Sequence, residues 1–385
     1  MSSITIGKIV QLVEDPYQTV AEFKKHADKR VIGCFPMEVP EELIHAAGFY
    51  PIVIWVGNEP VTIGHSYTMY YNCAIVRTFI DDIVRGRLWF MDGIIVARQC
   101  LPTHELAFVV ERNAKLPYLE YLYLPALYPS KNAFPSNATR NFTIYEFKRL
   151  KNSIEKFSGK KIDENNLIES IKIYNENRKL LRDIYELRRK NPQSIRAWEM
   201  VSLIWSSMII PKEEHSEMLK QVLEELKGRE VLVGDRLKVI LVGCMCHVPR
   251  SDILRIIEDL GMVVVDDDIY VGSRYIYNDV KLNGDPIISL VERYFSRIPP
   301  TLTKGDWEID WGKYVVDMVK KVKADGVVTL MPKFCPPHLC NYPDFKRTLI
   351  ENNIPEVLIE MEHEAVTLET VRLKLQAFTE SLRRR

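Results

Sequence analysis

Leu237-Lys-Val-Ile-Leu-Val-Gly-Cys-Met-Cys246 is the stretch from which the fold is read. Its first six residues form an apolar run of strand length, rich in β-branched side chains. Gly243 closes the run, and two thiols follow at once. A helix is expected next, over 250–260, and a further strand opens at 262–265. Downstream, helices are expected at 286–296, 314–323, 344–352 and 368–382, with strands at 326–331 and 357–360. Upstream, strands at 31–33, 50–56, 92–97 and 117–124 alternate with helices at 5–30, 40–48, 69–87 and 103–113. Strands alternating with helices imply parallel sheets. Residues 141–230 differ, being almost wholly helical in pattern, with Leu167, Ile171, Tyr174 and Leu181 at helical spacings. The expected fold class is therefore α/β: two parallel-sheet α/β domains, 1–140 and 237–385, with a helical insertion at 141–236.

A chain of 385 residues suits two or three domains, and 46% hydrophobic residues can build a large core. Its 52 Lys+Arg balance 52 Asp+Glu, which gives no electrostatic reason to expect nucleic acid or an anionic membrane. The first residues carry Glu14, Asp15 and Pro16 without an apolar core, so a secretory leader is not expected. No apolar run approaches the roughly 18 residues of a membrane span. A soluble, cytoplasmic protein is expected.

There are seven cysteines: Cys34, Cys73, Cys100, Cys244, Cys246, Cys335 and Cys340. An odd count in a large intracellular chain argues against a disulfide framework. A single free cysteine is ordinarily a small buried hydrophobe. Their positions point elsewhere. Cys34, Cys100, Cys244 and Cys335 each follow an expected strand, on the edge where open α/β sheets place ligands. Cys73 lies in the first turns of an expected helix, and Cys340 near the start of another; a helix N-terminus favours a thiolate. One shared metal site in the cleft between the domains is expected. All-thiolate ligation selects zinc, Cu(I) or iron–sulfur clusters. Zinc sites commonly show close Cys pairs combined with His, whereas this chain has Cys244-Met-Cys246 and a four-residue gap from Cys335 to Cys340. Six or seven thiols exceed the needs of one zinc or one cubane. The nucleotide-binding fingerprints G-x-x-x-x-G-K and G-x-G-x-x-G are missing, as are G-x-S-x-G and H-E-x-x-H.

Several stretches resemble the 2-hydroxyacyl-CoA dehydratase and benzoyl-CoA reductase superfamily. They are Cys34-Phe-Pro-Met-Glu-Val-Pro-Glu-Glu-Leu-Ile-His-Ala-Ala-Gly48, Asp92-Gly-Ile-Ile-Val96 and Asp266-Asp-Asp-Ile-Tyr-Val-Gly-Ser-Arg-Tyr275. To these are added Lys333-Phe-Cys-Pro-Pro-His-Leu-Cys-Asn-Tyr-Pro343, Ile359-Glu-Met-Glu-His363 and Arg372-Leu-Lys-Leu-Gln-Ala-Phe378. The resemblance implies a 4Fe–4S cubane on Cys73, Cys100 and Cys335. The extra thiols resemble the double-cubane branch, in which two cubanes share a sulfide. There the second set would be Cys34, Cys340 and one of Cys244 or Cys246.

That branch implies an 8Fe–9S low-potential reductase component, a homodimer, reducing a small substrate. Its electrons would come from a separate ATP-hydrolysing iron–sulfur activator. The first alternative is a dehydratase or benzoyl-CoA reductase subunit with a single cubane and an unlike partner. The second is a non-catalytic electron carrier or zinc-stabilised scaffold. His104, Glu105 and His338 are the candidate catalytic proton donors, with His247 also close to a cysteine. Arg77, one turn after Cys73, and Arg274 are the candidate cofactor contacts. Asp266, Asp267 and Asp268 read as an acidic strand-end loop, with a divalent-metal site as the other reading.

Overall fold

The computed structural model describes residues 4–55, 60–98, 100–125, 135–243, 246, 248–297, 310–362 and 367–384. Val31–Phe35 (β1), Tyr50–Val53 (β2), Gly93–Arg98 (β3) and Tyr118–Tyr123 (β4) form one parallel sheet in the order β2-β1-β3-β4. Leu237–Gly243 (β5), Met262–Ile269 (β6), Gly326–Pro332 (β7) and Glu356–Met361 (β8) form a second, in the order β6-β5-β7-β8. The α/β class with two parallel sheets is thus observed. The two sheets share one topology. In each, the first strand is flanked by its second on one side and its third on the other. The crevice beyond such a reversal is the usual ligand site of an open α/β sheet.

The strands are buried runs because helices cover both faces of a parallel sheet. Ile32, Ile52, Ile94 and Ile95 are almost fully buried in the first sheet, and Val239, Ile240, Val327 and Val328 in the second. One apolar core runs through both sheets and the helices between them. A smaller one packs Trp311–Val322 and Phe345 against the other face of the second sheet. The central helices are Asn137–Ser158, Glu164–Lys190, Ala197–Ile209 and Lys212–Leu226. The opening helix Ile4–Glu14 packs on the last two of these, and Thr5 N donates to Glu225 Oε1 at 2.9 Å. No helix among the described residues is long and apolar enough to cross a membrane.

Several local expectations are corrected. The helix expected over 5–30 is two helices, because Asp15 accepts from Gln18 N as an N-cap and Pro16 starts the helix Pro16–Ala27. The helix expected over 69–87 is Ala74–Val84, which makes Cys73 its N-cap rather than a residue of its first turns. The helix between β7 and β8 begins at Pro336, not near 344, and accommodates Pro343 internally. Cys34 does not follow β1 but lies within it, paired beside Val53 and Ile95. Asp266, Asp267 and Asp268 belong to β6 rather than to a loop. They are tolerated there because each carboxylate meets an arginine: Arg189, Arg188 and Arg274 respectively. Those pairings leave no carboxylate of the three for a divalent ion.

Candidate metal centre

Three helices at the carboxyl edges of the sheets begin at a cysteine. Cys100 caps Leu101–Asn113 just beyond β3, and Cys335 caps Pro336–Glu351 beyond β7. The two positions are topologically equivalent in their sheets. Cys73 caps Ala74–Val84, the helix that leads into β3. Cys246 lies in the turn beyond β5, with φ at +57°. That turn depends on Gly243, whose φ is +90° and where a Cβ would stand 2.2 Å from the Leu330 carbonyl oxygen of neighbouring β7. Only glycine combines that conformation with that approach.

These four thiols act on one another. Burial pushes the Cys73 thiol up to about 12, the charge of Cys100 adds to this, and the N–H of Val76 with Arg77 and the N–H of Ile75 offset it in part. Burial also raises Cys246 well above the usual thiol range, and so do the charges of Cys100, Cys335 and Cys73. Cys100 is raised by burial, against hydrogen bonds from Thr103. Thiols raised in this way stay protonated on their own, and a soft metal group that takes the thiolate form is what this all-sulfur donor set suits. Among the described residues, no three His, Cys, Asp or Glu converge closely enough to ligate a single ion.

Polar groups frame the site. Arg77, 3% exposed, pairs with Glu362 at 3.8 Å, donates to the Tyr70 carbonyl at 3.4 Å and stacks over Phe334. It thereby joins the Cys73 helix to the end of β8 and to the residue before Cys335. His338 is fully buried, with Nδ1 3.5 Å from Cys335 Sγ. Glu105 accepts from Asn72 Nδ2 at 3.2 Å, tying the Cys100 helix to the residue before Cys73. His104 is exposed against the Arg98 guanidinium; burial and that positive charge lower its pKa. Arg274 is held by Asp268, with Nε and Nη2 each at 2.7 Å.

The remaining cysteines have other surroundings. Burial raises the Cys34 thiol, then Glu41 raises it, Lys212 lowers it and Glu42 raises it. Its neighbours form a buried network in which Tyr275 Oη donates to Glu41 at 2.8 Å and Lys212 Nζ donates to Tyr275 Oη at 2.8 Å. Cys340 is exposed in the second turn of its helix. Cys244 and His247 lie outside the described residues. Sequence reasoning missed Glu38, Tyr270 and Arg297, which form one buried hydrogen-bonded set beyond the strand ends, Tyr270 and Arg297 both donating to Glu38. Their contacts are tertiary, and the one signal for them is that Glu38 and Tyr270 fall inside two of the family-like stretches.

A family model described as 2-hydroxyglutaryl-CoA dehydratase, D-component, matches residues 36–382. A benzoyl-CoA reductase subunit of Thauera aromatica is 31% identical over 383 residues, spanning 98% of each chain. The (R)-phenyllactyl-CoA dehydratase beta subunit of Clostridium sporogenes is 30% identical over 371 residues, spanning 96% of each. The beta subunit of (R)-2-hydroxyglutaryl-CoA dehydratase from Acidaminococcus fermentans is 27% identical, spanning 99% of each.

Proposed function

The chain belongs to the 2-hydroxyglutaryl-CoA dehydratase D-component family, and from that premise we propose that it is one subunit of an acyl-CoA dehydratase or aryl-CoA reductase, holding an iron–sulfur cluster on Cys73, Cys100 and Cys335. One observation supports this reading: three cysteines from both halves of the chain cap helices at the carboxyl edges of the sheets, and the charge of each bears on Cys246. Helix N-termini favour the negative charge of thiolates and of a thiolate-bound cluster.

A cluster there would supply single electrons at low potential to a thioester substrate. The chain's own residues have other tasks. The sheet edges and Gly243 set the positions of the thiols. Arg77 brings positive charge to the rim, and His338 holds a ring nitrogen at Cys335. His338 and Glu105 are the proton-carrying groups in this reading. Electrons would arrive from a separate ATP-hydrolysing protein, in keeping with the missing nucleotide motifs. The relatives are each named as one subunit among others, two of them as beta subunits, which supports an unlike partner chain over a homodimer.

The double-cubane reading would need Cys34 and Cys340 beside the other thiols. The placement of Cys34 among Glu41, Glu42 and Lys212, and the exposure of Cys340, favour a single cubane. Anaerobic purification followed by iron and sulfide assay separates the two. About four irons per chain supports the single cubane and about eight restores the larger cluster. Iron-free protein that binds stoichiometric zinc refutes both.

A further inference from the structure

Cys246 shares a small apolar void with Met37, Trp55 and Val271. Two of these residues flank buried polar groups. Next to Met37 is Glu38, and next to Val271 is Tyr270; they are 5% and 1% exposed. Tyr270 Oη donates to Glu38 Oε1 at 2.9 Å, and Arg297 Nη1 donates to Glu38 Oε2 at 2.8 Å. Arg297 also donates from Nη2 to the Arg274 carbonyl at 2.9 Å, and it is itself 6% exposed. Glu38 follows β1, Tyr270 follows β6, and Arg297 follows the helix Pro286–Ser296. The set therefore bridges the two sheets at the edge where the thiols gather.

Such a bridge is costly to build. A carboxylate and a guanidinium removed from water are compensated only by good mutual geometry and by further hydrogen bonds. An apolar contact would join the sheets without that cost. What an ion pair adds is a fixed, unscreened field, because salt does not reach a buried charge. The pair faces the thiol edge: Arg297 Nη2 lies 3.8 Å from Sδ of Met37, and Met37 lines the void together with Cys246.

We propose that Glu38, Tyr270 and Arg297 are positioning residues of the cysteine centre, in which the paired charges of Glu38 and Arg297 set the reduction potential of the group held there. The proposal rests on the cluster reading above. Adding an electron makes a cluster more negative. Removing the Glu38 charge leaves Arg297 uncompensated and stabilises the reduced form. Removing the Arg297 charge does the reverse. Tyr270 holds the carboxylate in place without carrying charge.

The test is a redox titration of the anaerobically purified, iron-replete protein, followed by electron paramagnetic resonance. E38Q should raise the midpoint potential and R297Q should lower it. Each shift should be on the order of tenfold in the one-electron equilibrium, equal to about 59 mV. The double variant E38Q/R297Q should return close to wild type, and E38D, R297K and Y270F should stay within about half of that shift. A merely structural role moves both single variants in the same direction or moves neither, and either result overturns the proposal. If E38Q does not retain iron, the comparison of R297K with R297Q decides by the same rule. Iron-free wild-type protein would overturn the cluster reading first, and this proposal with it. An iron-replete wild type without opposed shifts overturns the proposal alone.

Discussion

Asp267→Asn tests whether the buried ion pairs of β6 hold the structure that delivers residues to the cysteine edge. Asp267 is 2% exposed and Arg188 is 1% exposed. Asp267 Oδ2 accepts from Arg188 Nη2 at 2.7 Å and from Tyr185 Oη at 2.8 Å, and Oδ1 accepts from Ser273 N at 2.8 Å. The substitution keeps the volume but removes the charge. It leaves the Arg188 guanidinium unpaired in the interior and turns an amide N–H₂ toward one of three donors. Breaking one side of a buried pair costs about 3–5 kcal/mol. With a urea m-value on the order of 3 kcal/mol/M, the unfolding midpoint should fall by roughly 1–1.7 M. Urea titration by far-ultraviolet circular dichroism measures this. The double variant Asp267→Asn/Arg188→Met should recover a substantial part, since it leaves no unpaired charge. The same substitution should weaken iron retention, because Ser273 N anchors the segment Tyr270–Arg274 to β6. A midpoint lowered by less than roughly 0.3 M, under about 1 kcal/mol, would refute the reasoning.

Three further outcomes are expected. Cys73→Ser, Cys100→Ser and Cys335→Ser should each lose most of the bound iron, whereas Cys34→Ser and Cys340→Ser should retain it; iron assays on the five proteins check this. Gly243→Ala should destabilise by about 2–4 kcal/mol, from the left-handed backbone and the collision with Leu330, as measured by urea midpoint. His215 is fully buried, its ring nitrogens facing Asn177 Nδ2 at 2.9 Å and Ser206 Oγ at 2.8 Å. Burial, then the charge of Lys212, pushes its pKa down to about 3. Its unfolded value is about 6.5, so the unfolded chain binds the extra proton and stability falls as pH drops through that window. Between pH 7 and pH 5 this group should remove up to about 2 kcal/mol. His215→Gln should flatten that part of the urea-midpoint profile, and an unchanged slope would count against it.

The strands were legible because a parallel sheet buried on both faces demands continuous apolar runs, as in Leu237–Gly243 and Gly326–Pro332. Where that rule breaks, the reading broke with it. Beyond Val265 the run turns acidic, and only the arginines of Glu164–Lys190 and Arg274 explain why β6 continues. Two of those pairings join residues far apart in sequence, Arg188 with Asp267 and Arg189 with Asp266, and no local pattern announces them. The cysteines at strand ends were legible for a similar reason, since the edge of a parallel sheet recurs with each βα unit. Their roles as helix caps were not, because a cysteine offers the backbone weaker capping than Ser or Asp and is not read as a helix start. Cys34 was misplaced because β1 runs on to Phe35. That extension moves it from the sheet edge into the sheet, beside Ile95 and Val53.

The cysteine caps have a kinetic corollary. An N-cap oxygen normally occupies the first free N–H groups of a helix, and neither Cys73 nor Cys335 provides one. The two helices differ in what they leave open. Pro336 and Pro337 delete the N–H groups at the start of one, whereas in the other Val76 N donates to the Cys73 carbonyl at 3.1 Å and the Ile75 N–H is left to the Cys73 sulfur. Hydrogen–deuterium exchange at the Ile75 amide is therefore a clock attached to a single sulfur atom. An electron-rich, metal-bound thiolate slows it and a neutral thiol lets it run, so loading of the site can be timed at one residue without any absorbance from the metal.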